Sequence, residues 1–491
     1  MTVPVVGHLG PPRLTAGLDR AERLDHRVHL AVHGNLRPFS LAAILDLAKE
    51  IGLKGRGGAG FPFARKLDAV ARSAQRRDLP VTVVVNGTEG EPASWKDKAL
   101  LTRAPHLVLD GAALAAHALK AESIVIGVTD DGVAADSVLA AVAERRMPAP
   151  TRLVTMPHRF ISGESGALIR GLNGDVPIPP GRKSLASDAG VGGRPTLLSN
   201  AETYAQLAVA AHLGPYAYSE VGTPDEPGTV LLTVGGSARQ PAVLEVPTGM
   251  PLADVLDLCA ATIGPGLLTG GFHGKWITPA AAARAEVSRA GLDTVGGTLG
   301  AGIMLPLGDG TCPLGEAARV LRYLAGQSAG QCGPCQLGLP DLARAMSALS
   351  DGSGGAAALE RIRAAAGGVR GRGACSHPDG TVRFALSAID TFTEDIATHL
   401  ARGGCGAPVR GVLPLPESEE STAGRLMVDW SRCDGHGLCA QLAPELITLD
   451  PNGYPSLPEA PVPPWLDSSA RKAIAMCPAL ALRQEAPLSA K

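Results

Sequence analysis

The sequence predicts a multidomain α/β protein. Its 491 residues are enough for three or four domains, and 45% of them are hydrophobic, which can supply each domain with a core. In the first half, short apolar strand patterns are separated by helical patterns, as in a parallel sheet covered by helices on both faces. The fold class follows from this length, this apolar content and this alternation.

The alternation of strands and helices defines a first unit over residues 1–227. The strand patterns cover 79–86, 123–128 and 151–156, and the helical patterns cover 41–53, 106–119 and 132–146. Parallel strands of this kind are joined by right-handed crossovers. Open α/β sheets bind ligands beyond the carboxyl ends of their strands, so the loops there are candidate ligand-binding loops.

Three further units and a linker follow the first unit. Residues 228–305 begin with a strand, a turn, a strand and a helix, which suits a small α+β module, and residues 306–405 have a helical pattern. The proline- and glutamate-rich segment 406–424 is predicted to be a flexible linker. Residues 425–491 form the last unit, which carries three of the nine cysteines.

The charge and the apolar pattern exclude several classes of protein. The formal net charge is -2, which gives no indication of a nucleic-acid binder or a membrane-surface binder. No apolar run reaches the ~18 residues of a membrane helix, and the N-terminus lacks the pattern of a secretion signal. We therefore expect a cytoplasmic protein whose nine cysteines serve metal or redox chemistry rather than disulfides.

The segment "KGRGGAGFP" (54–62) is a candidate anion-binding loop. Its glycines are Gly55, Gly57, Gly58 and Gly60. A helix precedes the segment, so the dinucleotide fingerprint that follows a strand does not apply. The glycines nevertheless let backbone N–H groups approach an anion, and Pro62 can begin a helix whose N-terminus favours phosphate. The alternative is a glycine-rich connector without a ligand.

Two more candidate loops follow predicted strands. The loop "NGTEGEPASWKDK" (86–98) contains Glu89 and Glu91, whose carboxylates can orient hydroxyl or amide groups of a ligand. The loop "ISGESGALIRG" (161–171) places glycine and glutamate directly before a helix. The alternative for either acid alone is a solvated residue of a turn.

The segment "QSAGQCGPCQLG" (327–338) contains a first cysteine group. Cys332 and Cys335 have a spacing at which thiolates bind one metal or cluster, or form a redox disulfide. A redox pair of the thioredoxin type belongs beside a βαβ pattern, whereas this pair begins a helical region. An iron–sulfur cluster is therefore favoured, and zinc remains the alternative.

A second cysteine group lies in the last unit. Cys433, Cys439 and Cys477 are followed by Pro478, and the Cys-Pro pair matches the turn that closes bacterial ferredoxin sites. His436 lies between the first two cysteines, as a ligand or as a bystander. The alternative is three unrelated buried cysteines, and Cys259, in an apolar helix, is predicted to be such a core residue.

The motifs "GRGGAGFP", "NGTEGEP", "SGESGAL" and "GRPTLLSNAET" occur in this order over residues 40–400. Together they resemble the flavin-carrying, NADH-oxidising subunit of respiratory complex I, a family that includes diaphorase subunits of NAD-linked hydrogenases and formate dehydrogenases. The resemblance implies bound FMN, a nicotinamide dinucleotide stacked on it, and a Rossmann-like FMN domain. It also implies a β-grasp module and a helical bundle with a [4Fe-4S] cluster.

The resemblance also implies a set of site residues. The cofactor-binding candidates are Gly55, Gly57, Gly58, Gly60, Lys66, Asn86, Glu89, Gly163, Glu164, Ser165, Arg182, Ser199 and Asn200. Phe61 matches an aromatic residue that stacks on the dinucleotide, and Glu91, the catalytic candidate, matches a carboxylate near the nicotinamide. Hydride transfer to the flavin needs no acid or base, so the protein groups set geometry and electronics.

This sequence departs from the family pattern in its cofactor pocket. Thr88 replaces an aspartate of the flavin loop, and Ser165 replaces the second glutamate of a Gly-Glu-Glu motif. Ala69 and Leu185 replace two aromatic residues of the dinucleotide pocket. Because a lost carboxylate removes repulsion against a 2′-phosphate, we hypothesise that the protein accepts NADPH better than its relatives or has lost tight dinucleotide binding.

The first cysteine group departs from the family pattern as well. Ala329 stands where the family has its first cysteine, and Cys375 matches the distant cysteine of the set. Three thiolates suit a [3Fe-4S] cluster, or a [4Fe-4S] cluster with a substitute ligand. The candidates for that ligand are His377, Cys405 and Cys312.

The last unit resembles small α+β ferredoxins with a single [3Fe-4S] or [4Fe-4S] cluster, which donate electrons to monooxygenases such as cytochromes P450. The combined resemblances imply a reductase that passes electrons from NADH or NADPH through FMN and clusters to the ferredoxin. The acceptor is then a partner protein, such as a cytochrome P450, another monooxygenase or a membrane reductase. The alternative is an electron-transfer subunit of a larger redox complex without dinucleotide turnover of its own.

Overall fold

The computed structural model describes residues 4–129, 132–181, 184–416, 424–457, 462 and 466–485. Among the predicted site residues, Arg182 lies outside the described residues, as does part of the predicted linker (417–423).

Helices and strands alternate before residue 228. In chain order they are β1 (Val5–His8), α1 (His26–His33), α2 (Leu41–Glu50), α3 (Phe63–Arg77), β2 (Thr82–Gly87), α4 (Lys96–Arg103), α5 (Pro105–Leu119), β3 (Ser123–Thr129), α6 (Val133–Ala143), β4 (Thr151–Met156), α7 (Ser165–Leu172), β5 (Thr196–Asn200) and α8 (Ala201–Ser219). The predicted helices and strands of this region are confirmed to within a few residues.

Strands β2 to β5 form a parallel sheet in the order β4-β3-β2-β5. Val83 and Val85 pack into a core shared with α5 and α8, whereas Val84 packs into a core shared with α7. Because successive side chains of a strand point to opposite faces, both faces of the sheet are buried. The predicted parallel sheet is confirmed, and β5 is an additional edge strand.

A second, six-stranded sheet follows. Its further elements are β6 (Thr229–Val234), β7 (Ala242–Pro247), α9 (Leu252–Leu258), β8 (Gly266–Thr269), β9 (Lys275–Ile277), α10 (Pro279–Ala282), α11 (Arg289–Thr294) and β10 (Ile303–Leu307). The strand order is β1-β7-β6-β10-β8-β9, and β1 pairs in parallel with β7 through Val5 and Ala242. The first strand of the chain thus belongs to this sheet, across the boundary expected at residue 227.

A helical region follows the second sheet. It comprises α12 (Pro313–Gly326), a π-helical turn (Pro334–Gly338), α13 (Leu339–Ser350), α14 (Gly355–Val369), α15 (His377–Thr391) and α16 (Thr393–Arg402). These helices share one core, which also includes Phe272 and Trp276 from the second sheet region. The predicted helical character is confirmed, and the helices pack directly against the sheet.

The first part of the predicted linker is anchored to α12. The buried carboxylate of Glu316 accepts hydrogen bonds from the backbone N–H groups of Gly411 (2.6 Å) and Val412 (3.3 Å). The carbonyl of Pro408 accepts a hydrogen bond from the backbone N–H of Cys312 (2.9 Å), and Leu413 is fully buried. A buried carboxylate requires such donors, so residues 408–413 are part of the helical region rather than a flexible linker.

The C-terminal region has a small core of its own. Its elements are β11 (Arg425–Val428), α17 (Leu438–Leu442), β12 (Thr448–Leu449), β13 (Pro455–Ser456), α18 (Asp467–Ala475) and β14 (Leu482–Glu485). Strands β11 and β14 pair antiparallel, and Leu426, Ile447 and Ala470 belong to the core between strands and helices. Across the described parts of the chain, no helix combines the length and the apolar character needed to cross a bilayer.

Candidate functional site

The glycine loop lies between α2 and α3, against the carboxyl end of β5. The backbone N–H of Gly55 donates to the carbonyl of Phe61 (2.9 Å), which closes the loop. A Cβ atom at Gly57 would lie 3.3 Å from the Cβ of Asn200, so the loop backbone passes directly over that residue. Gly60 has a φ of +64°, which side-chain-bearing residues rarely adopt.

Arg289 holds the glycine loop from the opposite side. Its guanidinium donates hydrogen bonds to the carbonyls of Gly55 (3.0 Å) and Gly58 (3.1 Å). Its backbone N–H donates to Glu226 (3.0 Å). These bonds fix the loop and place a positive charge beside a candidate anion site. Sequence analysis missed Arg289, because no local pattern links it to a loop more than 200 residues earlier.

The loops after β2 and β4 meet at Asn86, which was predicted. The Asn86 side-chain amide donates to the carbonyl of Gly163 (3.0 Å), and its oxygen accepts from the backbone N–H of Thr88 (3.1 Å). A Cβ atom at Gly163 would lie 3.0 Å from the carbonyl oxygen of Thr88. Glycine is therefore required for this close approach of the two loops.

A buried ionic cluster lies behind these loops. The Lys96 ammonium contacts Asp97 (2.9 Å), Glu202 (3.0 Å) and the predicted residue Asn200 (3.1 Å). Burial disfavours the charge of Lys96, but the two carboxylates outweigh burial and raise its pKa. The Asn200 amide also donates to Asp97 (2.6 Å), so the cluster fixes the residue that faces the glycine loop. Lys96, Asp97 and Glu202 were not predicted.

Glu89 lies at the N-terminus of α4. Its carboxylate accepts hydrogen bonds from the backbone N–H groups of Asp97 (3.2 Å) and Lys98 (2.9 Å) and from the Ser94 hydroxyl. Burial and the nearby carboxylate of Asp97 raise the pKa of Glu89. Both of its oxygens are thus engaged within the loop 86–98, where they satisfy donors of the first turn of α4.

Glu91 lies between the first sheet region and the second. Its Oε2 accepts a hydrogen bond from the backbone N–H of Phe272 (3.1 Å), in the loop between β8 and β9. Its Oε1 is buried and has no hydrogen-bond partner among the described residues. Burial raises the pKa of Glu91 to about 8. An unpartnered buried carboxyl oxygen is costly unless a ligand completes it, so Oε1 is a candidate ligand-binding atom.

The remaining predicted residues surround the same loops. The Lys66 ammonium donates to the carbonyl of Leu198 (2.8 Å) at the end of β5, next to the buried residue Ser199, and burial lowers the Lys66 pKa. Glu164 accepts from the backbone N–H of Ala167 (2.9 Å) and caps α7, whose first residue, Ser165, is exposed.

Phe61 is on the outer side of the glycine loop. Its ring is 46% exposed, and the guanidinium of Arg65 lies 5.5 Å from its centroid. Phe61 therefore offers an open aromatic face at the loop. Leu185, one of the two positions where the pocket lacks an aromatic residue, is 69% exposed, and Ala69 lies on α3.

The structure brings Cys332, Cys335 and Cys375 together at the π-helical turn. Burial raises the pKa of the Cys335 thiol, and the neighbouring thiols of Cys332 and Cys375 raise it further. The hydroxyl of Ser328, a buried residue, forms a hydrogen bond with Cys335. The three predicted thiols thus share one site, with an unpredicted hydroxyl beside them.

The candidate fourth ligands are engaged elsewhere. The two ring nitrogens of His377 contact the carbonyl of Leu324 (2.8 Å) and the ring of His273 (3.1 Å). Cys312 and Cys405 lie together with His399, their ligand atoms being within 4.8 Å of one another. The prediction of His377, Cys312 or Cys405 as fourth ligand is therefore not supported by these contacts, and Ser328 is the residue that contacts the thiol group.

The C-terminal region brings its three predicted cysteines together. Burial raises the pKa of Cys439, and the nearby thiols of Cys477 and Cys433 contribute. The backbone N–H of Ala481 donates to the Cys477 sulfur (3.4 Å). Backbone N–H donors to sulfur are typical of iron–sulfur sites, where they tune the reduction potential. The side chain of His436 is exposed.

Comparisons with protein families define the class of this protein. Residues 48–209 match the Nuo51 FMN-binding domain, and residues 315–399 match the NADH-ubiquinone oxidoreductase-F iron-sulfur binding region. Residues 426–484 match a 4Fe-4S single cluster domain. These matches confirm the predicted resemblance and the predicted cofactors, FMN and iron–sulfur clusters.

Several known proteins are similar over most of the chain. An F-type NADH-quinone oxidoreductase protein of Rhizobium meliloti (strain 1021) is 27% identical over 394 residues, 76% of this chain and 93% of that protein. The NADP-reducing hydrogenase protein HndC of Solidesulfovibrio fructosivorans is 25% identical over 426 residues, 82% of this chain and 83% of that protein. A chain of the air-oxidised NAD+-reducing [NiFe]-hydrogenase superposes with a TM-score of 0.71 at 26% identity, covering 81% of this chain and 68% of that one.

The residues present fit both cofactors. At the flavin site, Gly57 and Gly163 leave space that a Cβ atom would fill, and the positively charged Lys66 and Arg289 lie beside the glycine loop. Anions bind where backbone N–H groups and positive charges converge. At the two cysteine groups, three thiols each provide the sulfur ligands that iron–sulfur clusters require.

Proposed function

We propose that this protein oxidises NADH or NADPH with its FMN and passes the electrons through the first cysteine group to the C-terminal ferredoxin. The ferredoxin then donates them to a separate acceptor protein. The observation that carries this proposal is the presence of one flavin-type loop assembly and two separate groups of three thiols in a single chain.

We assign the modules accordingly. The parallel sheet with its helices is a Rossmann-like FMN domain, the six-stranded sheet is a β-grasp module, helices α12–α16 are the iron–sulfur bundle, and residues 425–491 are an α+β ferredoxin. The expected boundaries are 1–227, 228–305, 306–405, 406–424 and 425–491. Two observations refine them, because β1 belongs to the second sheet and residues 408–413 pack on α12.

Each predicted residue has a role in this proposal. The backbone of the Gly55–Gly60 loop and the N-terminus of α3 bind the FMN phosphate, and Lys66, Asn86 and Asn200 orient the flavin. FMN accepts hydride and releases electrons singly. Phe61 stacks on the dinucleotide, and the unpartnered Oε1 of Glu91 binds the nicotinamide carboxamide. Because Glu89 is occupied by α4, it positions the loop rather than contacting the cofactor.

Cofactor choice is part of the proposal. Ser165, the exposed first residue of α7, lacks the carboxylate that the family carries there, and a similar protein, HndC, is named as NADP-reducing. We expect Ser165→Glu to lower kcat/KM for NADPH relative to NADH by about tenfold, which corresponds to ~1.4 kcal/mol. Ser353→Glu, which adds the same charge at an exposed turn of the helical region, should leave the ratio unchanged. An equal ratio in both variants would contradict this role of Ser165.

The test of the proposed function is an inventory of anaerobically purified protein. We expect one FMN and about seven or eight irons per chain, with flavin absorbance bleached by NADH or NADPH in the absence of any partner. About three or four irons would mean that the first cysteine group holds no cluster and that electrons have no path to the ferredoxin.

A second function is favoured by three positions. Ala329 removes one cluster thiolate, and Ala69 and Leu185 remove aromatic surface from the dinucleotide pocket. These losses suit an electron-transfer subunit that docks onto a larger redox enzyme without its own dinucleotide turnover. Bound flavin that neither nicotinamide cofactor bleaches would support this function. The acceptor, whether a cytochrome P450, another monooxygenase or a membrane reductase, is identified by reconstituting electron transfer with each.

A further inference from the structure

We propose that Cys312, His399 and Cys405 bind a Zn²⁺ ion at a site separate from the iron–sulfur clusters. The two sulfur atoms and one ring nitrogen lie within 4.8 Å of one another, and the Cys312 sulfur is 3.4 Å from Nε2 of His399. Cys312 and His399 are 2% and 3% exposed. This inference is independent of the proposed electron path.

The spacing of these atoms fits one mononuclear ion. Zn–S bonds of ~2.3 Å and Zn–N bonds of ~2.0 Å in a tetrahedron place sulfur and nitrogen about 3.5 Å apart and two sulfurs about 3.8 Å apart. The observed distance between Cys312 and His399 agrees with the first value. Ligands of a cubane cluster bind different irons and lie farther apart, so the trio does not suit an iron–sulfur cluster.

The backbone holds the three ligands in place. Cys312 is the N-cap residue of α12, and its sulfur accepts a hydrogen bond from the backbone N–H of Gly315 (3.3 Å). His399 lies in the last turn of α16, and Cys405 follows three residues after that helix ends at Arg402. A helix N-terminus favours a thiolate over a thiol, which is the form that binds zinc.

A second observation points to a ligand at this site. The Nδ1 atom of the buried His399 has no hydrogen-bond partner among the described residues. Asp395 lies one helical turn earlier on α16 and interacts electrostatically with the imidazole. When Nε2 binds a metal, Nδ1 carries the proton, and a carboxylate near it fixes this tautomer. Asp395 is therefore the candidate positioning residue of the site.

The ion would join three parts of the helical region. It links the start of α12, the end of α16 and the stretch that precedes the anchored segment 408–413. Loss of the ion should loosen that segment while leaving the thiol group at the π-helical turn in place. The function assigned to the zinc is thus structural, at the point where the chain leaves the helical region toward the ferredoxin.

Metal analysis of the full-length protein tests the site. We expect about one zinc per chain after purification with added Zn²⁺, and less than about one fifth of that in Cys405→Ser and His399→Gln. Iron and FMN contents should stay unchanged. Asp395→Asn should weaken zinc binding about 10–100-fold in a competition with a chromogenic chelator. The control is Cys259→Ser, which alters a buried cysteine of a different core and should retain the zinc.

Zinc K-edge absorption of the unmutated protein keeps the test valid when a variant fails to fold. We expect two sulfur neighbours at about 2.3 Å and one nitrogen at about 2.0 Å. Zinc-free protein, an oxygen-only shell or a Cys312–Cys405 disulfide in the purified chain would overturn the proposal. So would loss of iron in place of zinc in His399→Gln, since Cys312 and Cys405 would then serve a cluster.

Discussion

The two groups of three cysteines have the same number of thiols but opposite surroundings. Cys335 is 3% exposed and belongs to the large core of α12–α16, whereas Cys433, Cys439 and Cys477 are all partly exposed in a small separate core. Three exposed apolar residues lie near the second group in sequence: Trp430, Met476 and Leu480. Burial suits a centre that exchanges electrons within the chain, and an exposed apolar rim suits brief contact with a partner.

The largest expected effect separates the two groups by function. Cys477→Ala should reduce electron delivery to any external acceptor protein to background, because the exposed centre is lost. Reduction of a flavin-accepting dye by NADH or NADPH should stay at the level of the unmutated protein. The two rates are measured side by side, with Cys259→Ala as a matched cysteine removal. Loss of dye reduction in Cys477→Ala would show that the ferredoxin is required for the fold and not only for transfer.

The second prediction concerns the missing thiolate of the buried group. Ala329→Cys restores a fourth thiolate at the position where the family has one. We expect about one additional iron per chain, and replacement of a three-iron EPR signal by the signal of a reducible four-iron cluster. Ser328→Ala is the companion variant, because its hydroxyl contacts Cys335 and should matter only while position 329 lacks sulfur. Unchanged iron in Ala329→Cys would show that the site already has four ligands.

The third prediction tests the exposed apolar rim. Leu480 is 70% exposed, and Leu480→Ser should raise KM for the acceptor protein several-fold with little effect on kcat. Internal reduction of the ferredoxin, followed by stopped flow, should keep its rate. Tyr216→Ser, at an 81% exposed position of the first region, is the control. Equal KM values for both variants would contradict a docking role of this rim.

The smallest expected effect is a pH dependence on the input side. Burial raises the pKa of Glu91 from its ordinary value of 4.5 to about 8, so the folded protein holds a proton that the unfolded chain releases. The resulting contribution to stability is complete below pH 4.5 and is lost as the pH rises to about 8. Between pH 6 and pH 9, the Tm of Glu91→Gln should therefore fall less than the Tm of the unmutated protein. Parallel Tm curves would contradict the raised pKa.

Local patterns predicted those parts of the molecule that depend on local sequence. The strands around Val83 and Ile124 are continuous apolar runs, and the cysteine groups have spacings of a few residues. Strand β1 has only four residues, and Val5 pairs with Ala242 far along the chain, so no local periodicity could reveal the pairing. The second sheet was accordingly predicted only at β6 and β7.

The site shows the same division. Asn86 and Gly163 were recognised in their motifs, and they meet as predicted. Arg289 and Phe272 reach the flavin loops from the second sheet, and nothing in their own neighbourhood marks them. His399 also escaped notice, because it lies 87 residues from the cysteine that it contacts. Contacts between distant segments depend on packing of the whole chain, which periodicity and spacing do not record.

The anchoring of residues 408–413 on Glu316 limits how far the ferredoxin can travel. The roughly eight peptide steps that lead from Pro416 to Gly424 span at most about 29 Å. A domain confined within that radius has an effective concentration on the order of 10 mM around its attachment point. Free electron carriers at micromolar concentration would then compete poorly for the helical region, so the rate of internal transfer should not depend on protein concentration.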